Sequence, residues 1–404
     1  MEKYGISARV IQGDASSAIS SSTCVVYFGS AYNSNEASGI PQHIYSYKEY
    51  LTKYHGGTEP TSHLTLDDCA EYSLSLISSA WFVNCAKTAA TSECAASDIK
   101  AVLEDALAYI CLNSSDTPNI VCIPKVQDST LLAELAKQCN GGINNTVHAQ
   151  GFVDCAQNTN QIDTSGNPVA TNITVPNTSG SLIAAWGNGI LEVNESNTIT
   201  KQIPGSIILS AKRAEQDAIN INNVPYRSIG NIRTAIKGVC IHVEDSDIRC
   251  TCRQNKMNEV VENGIVSFVN KGNNKWYTWG DHTAAVTAGS VDDETYRFDS
   301  TVAVLYHILN RFISKWENII DKPMSLRLRD CIIAEEQDYL NGLKALGCLV
   351  GDPKCEFKKL ENTTETIGKG QFFFSNIATV VPPAKYVELS IQYTDDGLQA
   401  YIQE

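Results

Sequence analysis

The sequence has no apolar run approaching the roughly 18–20 residues that a bilayer span requires. It has no basic run longer than Lys358-Lys359 and no Gly-x-x-x-x-Gly-Lys-Ser/Thr loop. The first absence excludes a membrane-spanning helix. The second, beside 31 Lys+Arg against 45 Asp+Glu and a net charge of −14, speaks against a nucleic-acid partner tracked through its phosphates. The third argues against an ATPase, because Gly368-Lys-Gly-Gln is too short and precedes a strand signal. A Gly-x-Ser-x-Gly elbow and a Gly-Thr-Ser nucleophile segment are also missing, so no catalytic serine is marked. The start, Met1-Glu-Lys-Tyr-Gly-Ile-Ser-Ala-Arg-Val, lacks the apolar core of a secretory signal. A chain that finishes folding in the compartment where it is made is the expectation, with no direct membrane insertion.

Cysteine, by contrast, is plentiful. The 14 residues are scattered singly through apolar segments, as at Cys24, Cys122 and Cys331, and read as reduced, buried small hydrophobes. With 404 residues, 43% hydrophobic and 19% charged, the chain is long enough for two or three domains and needs no covalent staples.

Along the chain, Ile6 to Ile11 alternates like a strand and is followed by a Ser-rich tether, Ser16 to Thr23. Cys24–Phe28, Trp81–Asn84, Asn119–Ile123 and His148–Asp154 read as strands. Between them lie helices over Ser46–Tyr54, Leu66–Ala80, a segment capped by Ser97 with Ile99, Leu103, Ala106, Leu107 and Ile110 on one face, and one begun by Asp128. Strands alternating with amphipathic helices predict a largely parallel sheet covered on both faces, an α/β fold. Further strands are expected at Ile207–Ser210, Gly238–Val243 and Ile265–Val269. Long helices are expected from Val302 to Ile319 and from Arg327 to Leu346, then strands over Gln371–Val380, Val387–Tyr393 and Gly397–Ile402. Both ends thus carry a short strand on a tether, and an unpaired strand needs a sheet edge.

Candidate chemistry is sparse. His55-Gly56-Gly57 reads as a helix C-cap. Cys240 and His242 with Cys250 and Cys252 place four soft ligands within thirteen residues; zinc and a pair of strands carrying buried thiols are the two readings, the strands being the default. Glu335-Glu336 and Asp292-Asp293 fall in polar stretches expected to be solvated, and Trp276, Trp279 and Trp316 are expected to be core anchors. No catalytic residue, cofactor or metal is assigned.

In order, these segments resemble contractile tail sheath proteins of phages and related phage-tail-like injection particles. The resemblance runs through Val25-Val-Tyr-Phe-Gly-Ser-Ala31, Ile40-Pro to Tyr50, Tyr54-His-Gly56, Ala185-Trp186 and Ile203-Pro-Gly-Ser206 with Asp217. It continues through Asn263-Gly-Ile265, Trp279-Gly-Asp-His-Thr283 and Ala345-Leu-Gly-Cys-Leu349, and closes on Ile377 to Ile391. His282 stands where such sequences usually carry Arg, and their Arg-Arg and Phe-Glu-Pro-Asn signatures are absent or reduced to Asp321-Lys-Pro323.

The resemblance implies a multi-domain sheath fold: an N-terminal arm (1–22), an N-terminal α/β part (23–95), a subtilisin-like α/β middle domain (96–284), an α+β C-terminal domain (285–394) and a C-terminal arm (395–404). It implies strand exchange between subunits through Ile6, Ala8 and Val10 and through Leu398, Ala400 and Ile402. The implied partners are further copies in stacked sixfold rings, an inner tail tube, and baseplate and tail terminator proteins, in a virion tail or related particle assembled in a bacterial cytoplasm. Arg311, Lys315 and Glu317, outside the apolar stripe of their helix, are the candidate tube-facing residues. A subtilisin-like hydrolase and a non-contractile lattice protein are the competing readings.

Overall fold

Short apolar runs stopped by Gly, Asn or Asp set the order of the first two thirds of the chain. The computed structural model describes residues 23–394 except positions 35, 37, 115, 145, 245 and 287–293. The chain runs β1 (Cys24–Gly29), β2 (Pro41–Ile44), α1 (Tyr47–His55), α2 (Thr65–Ser73), β3 (Ala80–Asn84), α3 (Ala96–Asn113), β4 (Pro118–Ile123) and α4 (Ser129–Cys139). A short ribbon, β5 (Asn140–Ile143) with β6 (Val147–His148), precedes β7 (Gln150–Asp154). Then come β8 (Leu182–Ala185), β9 (Asn188–Val193), β10 (Ile199–Pro204), α5 (Gly205–Ile219), β11 (Arg233–Thr234), β12 (Gly238–Val243), β13 (Ser246–Cys250), α6 (Gln254–Val261), β14 (Ile265–Asn270) and β15 (Trp276–Trp279). The last third is α7 (Asp299–Trp316), α8 (Leu326–Ala345), β16 (Leu349–Phe357), α9 (Thr364–Gly368) and β17 (Phe374–Val380).

Nine strands form one sheet in the order β11-β15-β14-β8-β7-β4-β1-β3-β2. Its six inner strands, β14 to β3, are parallel; β15 and β2 border them antiparallel, and β11 pairs antiparallel with β15 at the outer edge. α2 and α5 pack together over one face, α3 and α4 over the other, so strands such as Cys24–Gly29 and Ala80–Asn84 are buried at every residue. The sheet runs across residue 95, since β1 pairs with β3 before it and with β4 after it. A four-stranded antiparallel sheet, β10-β9-β12-β13, abuts α5.

Local signals explain most element ends. Ser46 accepts the Glu49 amide to start α1, and Gly56, at φ 62°, ends it in the left-handed conformation that the Gly-Gly pair predicts. Asp128 caps α4 through the Thr130 and Leu131 amides. Two readings are corrected. Ile207–Ser210 lies in α5, not in a strand: an apolar run of four fits a helix buried on several faces equally well, and Asp154, distant in sequence, accepts the first-turn amide of Ser206 at 2.9 Å. α2 stops at Ser73, short of Ala80, because the Ser-rich stretch Ser75–Ser79 turns off the helix.

The C-terminal unit has its own small core of Val304, Ile308, Leu340, Leu343, Cys348, Leu349, Cys355 and Val380, joined by Val224 from the middle of the chain. Two further expectations fail within it. Cys331 is exposed, its thiol 3.2 Å from Glu335. Glu336 is buried instead of solvated, holding the Arg311 guanidinium and the Trp316 indole N–H.

A buried charge cluster ties this unit to the large sheet. Arg213 on α5 donates to Asp217 (3.0 Å), to Asp299 at the start of α7 (2.5 Å) and to the Pro225 carbonyl (2.8 Å). Burial pushes both carboxyls up to about 6, against the pull of the guanidinium. Removing the cation leaves two uncompensated buried carboxylates, so Arg213→Ala should cost about 3–5 kcal/mol at neutral pH. In the native protein the folded pKa of each carboxyl exceeds its unfolded value, so the pair's contribution to stability is greatest below about 4 and falls as pH rises through about 6. Without Arg213 both carboxyls rise further. Urea unfolding of the variant should therefore show a smaller loss at pH 5 than at pH 7.5, and an equal loss at both pH values would contradict the ion-pair account.

Candidate functional site

The C-terminal ends of parallel strands are where α/β proteins collect ligands, and here a cleft of 370 Å³ opens beside β4, β7 and β9. It is lined by Lys125, Asp154, Cys155, Gln157, Gln202 and His242, among others. Its carboxylate is already used. Asp154 accepts the Ser206 amide, the Ser206 hydroxyl (2.6 Å) and the Lys125 amide (2.9 Å), and burial raises its pKa. The Ser206 hydroxyl donates its hydrogen bond directly to a carboxylate, with no imidazole between them. Among the described residues no hydrogen bond joins a histidine ring to a serine or cysteine side chain. His55 bonds Asp67 at 2.8 Å, His242 bonds Asp247 at 2.6 Å, and His282 bonds the Val261 carbonyl at 2.9 Å.

The four soft ligands marked by sequence do not converge. Register pairs Cys240 with Arg249 and Val239 with Cys250, so Cys250 points to the opposite face of the β12–β13 ribbon from Cys240 and His242. The Cys240 thiol donates to Gln202 Oε1 at 2.7 Å, and Cys252 is buried beyond the ribbon. Among the described residues no group of three or more His, Cys, Asp or Glu is placed to hold a metal ion.

The surface feature that stands out is structural. After β17, the Val381 amide donates to the Cys348 carbonyl at 3.0 Å. Pro382 and Pro383 then lie in a second cleft of 370 Å³ between the C-terminal unit and the segment Tyr226–Ile232. Lys385 pairs with Asp281, itself buried, and sits 5.6 Å from the centre of the Phe298 ring. Beyond that anchor the chain leaves the body. Val387, Leu389, Ile391 and Tyr393 are 85%, 81%, 84% and 81% exposed. The strand expected over Val387–Tyr393 has the alternation of a strand but no partner among the described residues. Its residues 386–394 could span about 30 Å when extended.

Edges able to take such a segment exist. β16 and β17 form a ribbon of two strands only, each with an outer edge unpaired among the described residues, and Ile377 is 52% exposed. A two-stranded ribbon is marginal alone; a third strand stabilises it. The expected exchange residues Ile6, Ala8, Val10, Leu398, Ala400 and Ile402 lie outside the described residues, as do Asp292 and Asp293.

The three tube-facing candidates sit on or just after α7 in unlike settings. Arg311 is turned inward, bonded to Glu336 and 4.2 Å from the centre of the Tyr339 ring. Lys315 pairs with Glu335 across to α8, and this hydrogen bond holds the Glu335 carboxyl below its ordinary range. Glu317 is exposed in the turn that follows. Beside it Ile320 and Leu326 are 70% and 71% exposed at the tip of the α7–α8 hairpin, an apolar feature the sequence reading missed.

Comparison with solved structures places this architecture. The sheath complex of an extracellular contractile injection system, PVC, in its contracted state aligns with TM-score 0.65 and 14% identity over 99% of this chain and 99% of that one. A chain from the sixfold-symmetrised baseplate of the anti-feeding prophage aligns with TM-score 0.62 and 14% identity over 97% and 100%. The sheath tail protein Lin1278 of Listeria innocua gives 0.57 and 10% over 89% and 95%. No protein-family model and no curated protein matches the sequence. The described residues thus have the mixed α/β fold of contractile sheath proteins.

Because Lys385 anchors the start of the arm to the body through Asp281 and is itself half-exposed, Lys385→Ala should leave the thermal midpoint within about 2 °C of native. Limited proteolysis within 381–393 should accelerate several-fold. An unchanged cleavage rate would show that Pro382 and Pro383 alone hold the strap.

Proposed function

We propose that this chain is the repeating subunit of a contractile sheath, polymerising around an inner tube and shortening to drive that tube forward. The observation that carries the reading is the conjunction of a sheath-like fold with an exposed, alternating apolar segment that has no strand partner among the described residues and follows a two-stranded ribbon. In the assembly the segment Val387–Tyr393 and its continuation through Leu398, Ala400 and Ile402 pair with a sheet edge of a neighbouring copy. The N-terminal strand of Ile6, Ala8 and Val10 does the same. Each backbone hydrogen bond gained nets about 0.5–1.5 kcal/mol. Each buried Val, Leu or Ile adds about 1.5–3 kcal/mol.

Subunits so joined can turn as rigid bodies while their links persist, which is what passage from a metastable extended lattice to a more closely packed one requires. The internal ion pairs of Arg213 and Arg311 favour such rigid-body behaviour. The parallel sheet clad by helices supports the subtilisin-like reading of the middle portion, serving as a scaffold, with Ser206 and Asp154 spent on capping α5. For the tube contact, the exposed end of the α7–α8 hairpin around Lys315, Glu317, Ile320 and Leu326 is the favoured face, with Arg311 buttressing it from inside. Stacked sixfold rings, a baseplate and terminator at the two ends, and location in a virion tail or a related particle assembled in the bacterial cytoplasm complete the reading.

Negative-stain microscopy of the purified chain, alone and with its tube partner, tests this. Hollow cylinders or sixfold cogwheels are expected. Flat sheets or closed shells would instead indicate a non-contractile lattice. Deleting residues 386–404 should leave a folded monomer that no longer polymerises, and assembly unimpaired by that deletion would refute exchange through this arm.

A further inference from the structure

Every one of the 14 cysteines is a free thiol, and most are sealed in the core. Cys85 and Cys94 are arranged differently. Cys85 follows β3 and its amide donates to the Gly29 carbonyl at 2.8 Å; the Cys94 amide donates to Ser30 Oγ at 2.7 Å. Gly29 and Ser30 are consecutive at the end of β1, so residues nine apart in sequence are pinned side by side at the same strand end. The Cys85 thiol, 3.5 Å from the Val83 carbonyl, neighbours that of Cys94.

The two are not equivalent. Cys94 is half-buried and reachable from solvent, and the neighbouring Cys85 thiol favours its thiolate, holding it below the ordinary thiol range. Cys85 is buried, and burial pushes it up. The remaining accessible thiols lack this arrangement. Cys331 is raised by the Glu335 carboxylate beside it, and Cys111 is pushed up to about 11 by burial. Cys250 and Cys252 are also neighbours, but both are buried.

We propose that Cys85 and Cys94 form a redox-active dithiol, with Cys94 the attacking and Cys85 the resolving thiol, closed to an intramolecular disulfide by a low-molecular-weight disulfide such as oxidised glutathione. The Cys94 thiolate attacks one glutathione sulfur, forming a mixed disulfide and expelling glutathione thiolate, which takes up the proton that Cys94 gave to solvent. Cys85 then loses its proton and attacks the Cys94 sulfur, expelling the second glutathione as its thiol. Two protein thiols are oxidised by two electrons and one glutathione disulfide is reduced to two thiols.

The segment so closed is tied to the body at several points. Glu93 accepts the Thr65 amide at 2.9 Å at the start of α2, the Ala89 amide donates to the Ser34 carbonyl at 2.8 Å, and the Asn33 amide donates to the Ala90 carbonyl at 2.6 Å. Oxidation would therefore lock the loop that caps α2 at the C-terminal edge of the parallel strands, whatever the chain's wider role.

The test is peptide mass mapping, without reductant, of the native full-length chain incubated with oxidised glutathione. A Cys85–Cys94 cross-linked peptide, two hydrogens lighter than the reduced pair and restored by dithiothreitol, is expected to form at least ten times faster than any change at Cys111. Cys85→Ser should stop at a glutathione adduct on Cys94, and Cys94→Ser should leave Cys85 unmodified. A stable glutathione adduct on Cys94 of the native chain would overturn the proposal, as would oxidation at Cys331 or Cys111 while Cys85 and Cys94 stay reduced; both are read on the unsubstituted protein, independently of how the variants fold.

Discussion

A segment with an exposed apolar side chain at every second position, and no strand beside it among the described residues, is the constraint on which this reading of the molecule depends. Val387, Leu389, Ile391 and Tyr393 meet water, and so do the amides between them. Such a segment gains free energy from any compatible edge, which makes a free edge strand both a hazard and a device. The body controls where it goes. Val381 is stitched to Cys348, the proline pair fixes its direction, and Lys385 is held by Asp281, so the arm departs from one defined point on the surface.

That control depends on a body that does not yield. The nine-stranded sheet carries the main core, while the C-terminal unit is small and leans on Arg213, Asp217 and Asp299 for its attachment. Glu336, Arg311 and Trp316 play a comparable part inside that unit, locking α7 against α8. Charges placed this deep contribute little net stability compared with an apolar isostere, but breaking one partner is costly, so they fix a single geometry. In the proposed sheath such stiffness lets rearrangement occur between subunits instead of within them.

The elements with unambiguous local signals were legible from sequence. Asp128 and Ser46 announced their helices, Gly56 its stop, and the runs Cys24–Phe28 and Asn119–Ile123 their strands. Two of the failures came where the deciding partner is remote in sequence. Ile207–Ser210 became helical under the cap of Asp154, and Glu336 was drawn inside by Arg311. The zinc alternative at Cys240, His242, Cys250 and Cys252 turned on a register that spacing does not reveal. For the surface site, the alternation of Val387–Tyr393 was visible, but its lack of a partner and its anchoring through Lys385 were not, because Asp281 lies 104 residues away. At 10–14% identity to these solved sheaths, a similar fold is built from mostly different residues.

The most direct measurement is a cryo-EM reconstruction of tubes assembled from the full chain, resolved well enough to trace β16, β17 and the segment 386–404. Strand completion predicts that Val387–Tyr393, or its continuation to Ile402, lies hydrogen-bonded in a sheet whose other strands belong to a different subunit. Tubes in which that segment folds back on its own subunit, or remains unpaired in solvent, would contradict it.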